Sequence, residues 1–525
     1  MNISFDNQKY IELQSKHIKD RIDKFGGKLY LEFGGKLFDD YHASRVLPGF
    51  KPDSKLQMLL ALKDKAEIVI VVNTDDIEKN KIRGDLGITY DLDVLRLIGA
   101  FREVGLFVGS VVLTRFESVH PAVAKFERKL KEQGIKIYHH YTIKGYPSNV
   151  EKIVSDEGFG KNEYIETEKE LIIVTGPGPG SGKMAVCLSQ LYNDNKKGIK
   201  AGYAKFETFP IWNKPLRHPV NLAYEAATAD LNDVNMIDPY HLEKYGVLSV
   251  NYNRDVEIFP VLDAIFRGIY GDDSPYFSPT DMGVNMVGNC IIDDESVIDA
   301  SKREIVRRYY DALCACRDDD TERNRNAVQK IELLMQHAGI SKDYRKVVAA
   351  AKAKSAETGL PAAAIELADG RIITGKSTDL LESVSAMLLN ALKEITGIPD
   401  AIHLLAPEVI EPVQKLKCQY LSRTYKKLNV NEILIALSIS AHTSATAAHV
   451  LKHLPNLAGC DIHSTVMLSS ADVEVLKKLG LNVTCEPKYQ INNTIAPQRL
   501  IDIASNRKMI ICEYCGRILV NPDFE

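Results

Sequence analysis

Cysteine is scarce: nine residues in 525, most of them inside apolar segments, which excludes a disulfide-stapled secreted scaffold. No stretch approaches the roughly 18 uninterrupted apolar residues of a membrane span. The N-terminus, MNISFDNQKYIELQSKHIKD, lacks the apolar centre of a signal peptide. An excess of one charge is also missing. Lys and Arg number 66 against 70 Asp and Glu, a net −4, so no global field draws in nucleic acid or an anionic membrane. What remains, 45% apolar and 26% charged residues, is the balance of a soluble globular protein. Its length suits roughly three or four domains. The expected setting is the cytoplasm, the expected partner a small molecule, and closed symmetry at this size favours a homo-oligomer.

Two periodicities alternate through the first 210 residues. Continuous β-branched runs at 28–33, 67–73, 107–114, 135–141, 170–175 and 199–206 read as strands, with amphipathic helices such as 92–104 and 121–134 between them. That alternation predicts βαβ units on a mainly parallel sheet with both faces covered. From 213 to 300 the periodicity weakens and Pro, Asn, Asp and Tyr crowd in, which predicts long polar loops. Residues 301–356 turn helical, with a charged break at 317–326. A second α/β unit is expected over 357–490, opening with two strand patterns around Asp369-Gly370, a hairpin signal. It continues with a helix over 380–395, the apolar run ILIALSIS at 433–440 and a strand near 463–468. The reading is thus an α/β domain over 1–300 with a polar insertion, a helical segment 301–356, a second α/β domain 357–490 and a short tail 491–525.

The sharpest local signal is LIIVTGPGPGSGKM, where an apolar strand runs into glycines and a helix begins at once. Phosphate groups need converging backbone N–H groups without Cβ atoms in the way, and a helix start adds a favourable dipole. Gly176, Gly178, Gly180, Ser181 and Gly182 are the candidate cradle, and Lys183 supplies a point charge. Two departures from a P-loop stand out. Pro177 occupies the first glycine position, and Met184 replaces the hydroxyl residue that would hold Mg²⁺. The bland alternative is a tight strand-to-helix turn. Downstream, GIKAGYAKFETF is a strand ending in Lys205 and Glu207. This loop–helix–strand resembles the P-loop ligases that include dethiobiotin synthetases, which implies a second phosphate-facing lysine at Lys205.

Longer runs resemble a bacterial family called domain of unknown function 1846: LYLEFGGKLFDDYHASRVLPGF, RGDLGITYD, KGYPSNVEKIVSDEGFGKNEYIET, TGPGPGSGKM, HPVNLAYEAATADLNDVNMIDPYHLE and SPTDMGVNMVGN. The likeness spans about residues 1–490. It implies a nucleotide-binding-like N-terminal part, P-loop-like or Rossmann-like, and an α/β C-terminal part. Some members carry the label ATP-dependent zinc protease. The helical H-E-x-x-H pair of the commonest zinc proteases is absent from the sequence.

Other candidates follow from strand ends and polar clusters. Gly34, Gly35 and Lys36 leave a strand C-terminus, where open α/β sheets bind ligands, with His42 and Arg45 close behind. Within 213–257, His218, Asn221 and Asp233 are candidate substrate contacts, although most polar residues there suit turns and caps. His449-x3-His453 and Cys460-x2-His463 have ligand-like spacing, as helix surfaces do by chance. Cys512 and Cys515 form a C-x-x-C-G knuckle resembling half of a zinc ribbon, without the matching first pair. The expectation is a nucleotide- or phosphate-binding enzyme, using ATP or another nucleotide with Mg²⁺ for phosphoryl transfer or ligation on a small molecule. Lys183, Lys205 and Glu207 would carry the chemistry, and Zn²⁺ would sit at the tail. A non-catalytic sensor of a phosphorylated metabolite and a metal-dependent hydrolase are the alternatives.

Overall fold

The computed structural model describes residues 3–34, 37–38, 40–84, 86–118, 120–421 and 426–490, with the backbone alone of Pro407, Leu421, Met509–Ile511 and Ile518–Val520. Gly35, Lys36, Cys512 and Cys515 lie outside the described residues. The chain divides into two compact units. One is Met1–Ile305 with Gln329–Ile340, the other Val306–Val328 with Ser341–Glu525. The helical stretch that follows residue 300 is shared between them. Its helices are Asp294–Asp318, Glu322–His337 and Lys346–Thr358.

The first unit is built on a seven-stranded sheet. Its strands are β1 (Leu29–Phe33), β2 (Ala66–Asn73), β3 (Phe107–Phe116), β4 (Lys136–Tyr141), β5 (Leu171–Thr175), β6 (Gly202–Phe206) and β7 (Gly283–Val284). The order is β7-β6-β1-β5-β2-β3-β4, and every neighbouring pair is parallel. β1, β2 and β5 are buried at every residue. Continuous apolar runs belong there, because helices cover both faces of a parallel sheet. From β2 the chain moves outward through the helix Tyr90–Glu103 to β3. From β5 it returns through the helix Lys183–Lys196 to β6, on the other side of β1. β5 and β2 are therefore neighbours whose onward connections diverge, and a crevice opens beyond the carboxyl ends of such strands.

The polar segment 213–300 departs from the expectation of long loops. It folds into the helices Pro219–Ala227, Pro239–Tyr245 and Asn253–Tyr270, and a two-stranded pairing of Asn235–Ile237 with Val250–Tyr252. The polar residues start these helices. His218 Nδ1 accepts from the Val220 N–H, Asp238 from His241 N–H and Ser278 from Asp281 N–H. The two shorter helices, Pro219–Ala227 and Pro239–Tyr245, open with capping side chains and Pro and carry too few turns to show a 3.6-residue period, while the 18-residue Asn253–Tyr270 holds Pro260 in its interior.

The second unit has a four-stranded sheet of β8 (Ala362–Glu366), β9 (Ile372–Lys376), β10 (Asp461–Ser464) and β11 (Asn482–Cys485), ordered β9-β8-β10-β11. β8 and β9 form the expected antiparallel hairpin, and β10 begins two residues before the expected strand. Alternation on β8 sends Ala363 and Ile365 into the main core, with Met387, Leu388 and Leu392 of the helix Ser383–Thr396. Ala364 faces Val347 and Ala351 on the opposite side. The apolar run 433–440 lies in the helix Val430–Ser440, opened by a capping box between Asn429 and Glu432.

Candidate functional site

At the end of β5 the backbone passes so close to its neighbours that side chains are excluded. A Cβ on Gly176 would lie 2.3 Å from the Val71 carbonyl oxygen and 2.9 Å from Ser181 Oγ. One on Gly178 would lie 2.3 Å from the Tyr90 hydroxyl. Gly180 and Gly182 are needed for another reason, their φ values of +77° and +97°. Gly176→Ala pushes against backbone that cannot rotate away, so a loss of about 1–3 kcal/mol is expected. Gly34→Ala is the control: a Cβ there meets nothing within 4 Å, and its urea midpoint should match the parent's.

The loop is pinned on one side and open on the other. Thr114 Oγ1 at the end of β3 donates to the Ser181 carbonyl at 2.6 Å. Gly182 is the N-cap of the helix Lys183–Lys196 and brings no capping side chain. The backbone N–H groups of Gly180, Gly182 and Lys183 find no acceptor among the described residues. Lys183 Nζ folds back over the loop, donating at 3.3 Å to the Gly178 carbonyl and at 3.4 Å to Ser181 Oγ. These long contacts are ones an anion can displace.

The loop and the first helical turn form one wall of a cavity of about 460 Å³. The other walls come from β1 (Glu32), the end of β3 (Thr114, Arg115), the end of β4 and its loop (His140, Tyr141, Tyr146), and from Phe159 and Asn162. Arg115 has φ +54°, a left-handed conformation that costs a bulky residue about 1–2 kcal/mol. Its ion pair with Asp75, at 3.4 Å, is exposed and stabilises little. His140 is 3% exposed, and its Nε2–H donates to the Glu163 carbonyl at 3.2 Å. Nδ1 is thereby left as an acceptor. Glu32 Oε2 accepts from the Tyr203 hydroxyl at 2.6 Å.

Burial pushes the His140 imidazole down to about 4; the Glu163 carbonyl opposes this and His139 reinforces it. The unfolded chain takes up this proton near pH 6.5, the native protein only near pH 4. The contribution of neutral His140 to stability is complete above pH 6.5 and is lost as pH falls towards about 4. At about 1.4 kcal/mol per pKa unit, up to about 3 kcal/mol of stability should disappear across that window. Urea denaturation at pH 7 and pH 4.5 measures it. The difference between the two pH values should shrink by this amount in His140→Asn.

Of the residues singled out in the sequence, the structure brings Gly180, Gly182 and Lys183 to the cavity, with Gly176, Gly178 and Ser181 shaping the loop behind them. Lys205 is the register partner of Glu32 on the adjacent strand, one strand away from the cavity wall. There it is ion-paired with Glu207 at 3.1 Å and with Asp255, and it bonds the Tyr252 hydroxyl. Burial opposes the Lys205 charge, but Asp255, Tyr252 and Glu207 outweigh it and hold the ammonium well above its usual range. Burial raises the Glu207 carboxyl to about 7 against the pull of Lys205.

His42, Arg45, His218, Asn221 and Asp233 have protein partners and, like Gly34, are not among the described residues that line the cavity. Arg45 Nε donates to Glu304 at 3.0 Å, and the His42 ring packs edge-on against Phe209. His218 caps its helix and faces Asp294 at 3.2 Å. Asn221 bonds the backbone of Ile211 and Pro215. Asp233 pairs with Arg254. Gly34 closes β1 in open space. Glu32, Arg115, His140 and Tyr146 were not singled out. The one signal for them was position, since each ends a strand or opens the loop after it.

Fold and cavity together define an α/β protein whose site lies at the carboxyl edge of a parallel sheet. The chain belongs to the DUF1846 family: residues 3–339 match the N-terminal and residues 343–494 the C-terminal domain of unknown function DUF1846. It is similar to the UPF0371 protein of Streptococcus thermophilus (strain CNRZ 1066), 55% identical over 93% of this chain and 98% of that protein. A UPF0371 protein of Corynebacterium urealyticum is 56% identical over 93% of this chain and 97% of its own length. One of Streptococcus pyogenes serotype M5 is 54% identical, covering 93% and 98%. None of these three names states an activity. Among the described residues, no group of three or more His, Cys, Asp or Glu side chains is placed to hold a metal ion, and no helix is long and apolar enough to cross a membrane.

Proposed function

We propose that the protein is an enzyme that binds a small phosphorylated molecule with its phosphate on the 176–184 loop, in the manner of a variant P-loop. ATP or another nucleotide, with Mg²⁺, is one source of that phosphate and would make the reaction phosphoryl transfer or ligation. The carrying observation is that Gly180, Gly182 and Lys183, whose backbone N–H groups find no acceptor among the described residues, line an open cavity beside the Lys183 ammonium. A helix start with free amides and a nearby ammonium favours an anion.

Isothermal titration with inorganic phosphate, and with ATP in the presence and absence of Mg²⁺, tests the reading. Saturable binding that salt weakens supports it, and ATP binding that depends on Mg²⁺ selects the nucleotide form. No heat with any of the three sinks it. Bound ligand recovered unchanged after incubation with candidate acceptors would favour the sensor over the enzyme.

A further inference from the structure

The two ends of the cavity ask for different chemistry. The loop end offers donors only: amide N–H groups and the Lys183 ammonium, which suit the acceptor oxygens of a phosphate. Away from the loop, two side chains at least nine-tenths buried line the same cavity, each with an acceptor atom that no described residue satisfies. His140, 3% exposed, has its Nε2–H committed to the Glu163 carbonyl and keeps Nδ1 free of any partner. Glu32, 9% exposed, uses Oε2 for the Tyr203 hydroxyl and has no bond at Oε1. Neither atom is sealed inside the protein: both residues line the cavity, so a ligand that brings O–H groups can bond these acceptors in place of water. Tyr146, beside them, has a hydroxyl that can donate as well as accept.

A ligand that meets both ends must give hydrogens to His140 and Glu32, and one that can also accept makes use of the Tyr146 hydroxyl in either direction. An ammonium group gives but cannot accept, and an alkyl chain does neither. Aliphatic hydroxyls do both. Resting on the phosphate reading above, we infer that the cavity takes a phosphate monoester of a polyhydroxy compound. Its phosphate lies on the 176–184 loop, one hydroxyl donates to His140 Nδ1 and a second to Glu32.

The test compares three-carbon phosphate monoesters on the full chain: glycerol 3-phosphate and n-propyl phosphate, which have equal charge, and 3-aminopropyl phosphate, which adds an ammonium, each titrated calorimetrically beside inorganic phosphate. Glycerol 3-phosphate is expected to bind at least about tenfold more tightly than propyl phosphate, as two added hydrogen bonds imply. In His140→Leu the two should come within about twofold of each other. Glu32→Gln serves the same purpose if that variant does not fold, and the comparison on the parent protein needs neither. Equal affinity for the propyl and glycerol esters overturns the inference, as does tighter binding of the amine. In either case inorganic phosphate still binds, so the phosphate site survives. If inorganic phosphate itself fails to bind, it is the underlying phosphate reading that falls.

Discussion

Lys183→Ala is expected to weaken inorganic phosphate binding roughly ten- to hundredfold. A hydrogen bond to a charged group contributes about 1.5–3 kcal/mol, which spans that range. The lysine's resting contacts, at 3.3 and 3.4 Å on its own loop, are long and part-exposed, so the variant should unfold at the same urea midpoint as the parent. Binding and stability are thereby separated. Lys196→Ala, at the other end of the same helix and exposed beside Asp156, is the matched control and should leave phosphate affinity unaltered. Raising salt should compress the difference between parent and Lys183→Ala, because the lost term is electrostatic. Equal affinity of Lys183→Ala and the parent would show that the ammonium does not face the anion.

The largest expected loss of stability lies in the second unit, at a residue far from any motif. Arg345 is fully buried, and its guanidinium forks onto Asp461 at 3.2 and 3.0 Å. It also donates at 2.9 Å to Thr484 Oγ1 and at 2.7 Å to the Asn482 carbonyl. It thereby ties the start of the helix Lys346–Thr358 to β10 and β11. Arg345→Met leaves Asp461, itself 4% exposed, as a buried charge without its cation. Breaking one partner of such a pair costs about 3–5 kcal/mol. For a unit of this size that is a fall in melting temperature of roughly 10 °C. Calorimetry measures it. Arg345→Lys should also lose stability, because an ammonium cannot reproduce the planar fork. Arg345→Met combined with Asp461→Leu should recover much of the loss, since no lone charge then remains in the core. A single variant as stable as the parent would mean that water reaches Asp461.

The strands of the first unit were legible because their signal is local. Runs such as EIVIVVN and LIIVT are buried at every residue, and a strand covered on both faces has no polar positions to blur its ends. The segment 213–300 was not legible for the converse reason. Two of its helices are short, a longer one holds Pro260 in its interior, and His218, Asp238 and Ser278 read as loop formers when their work is to cap. Position-by-position reading also favoured the charged residues nearest the glycine loop in character, Lys205 and Glu207. In the structure these two satisfy each other and Asp255, one strand away from the cavity.

Arg345 and His140 carry the same lesson. One is an arginine in an ordinary basic stretch, the other the second histidine of IYHHY, and neither has a neighbour in sequence that marks it. By itself the sequence determined where the strands of the first 210 residues would form, that their sheet would be parallel, and that glycine and lysine would meet at a helix start. Those are properties of periodicity and of backbone sterics within about a dozen residues. Tertiary structure alone decided that β5 enters the sheet between β1 and β2, and so which side chains share a cavity with the loop. Parallel strands joined by long crossovers carry no local mark of their order. That order is set by how the covering helices bury their apolar faces, and Glu32, Arg115 and His140 become neighbours of Lys183 only once it is in place.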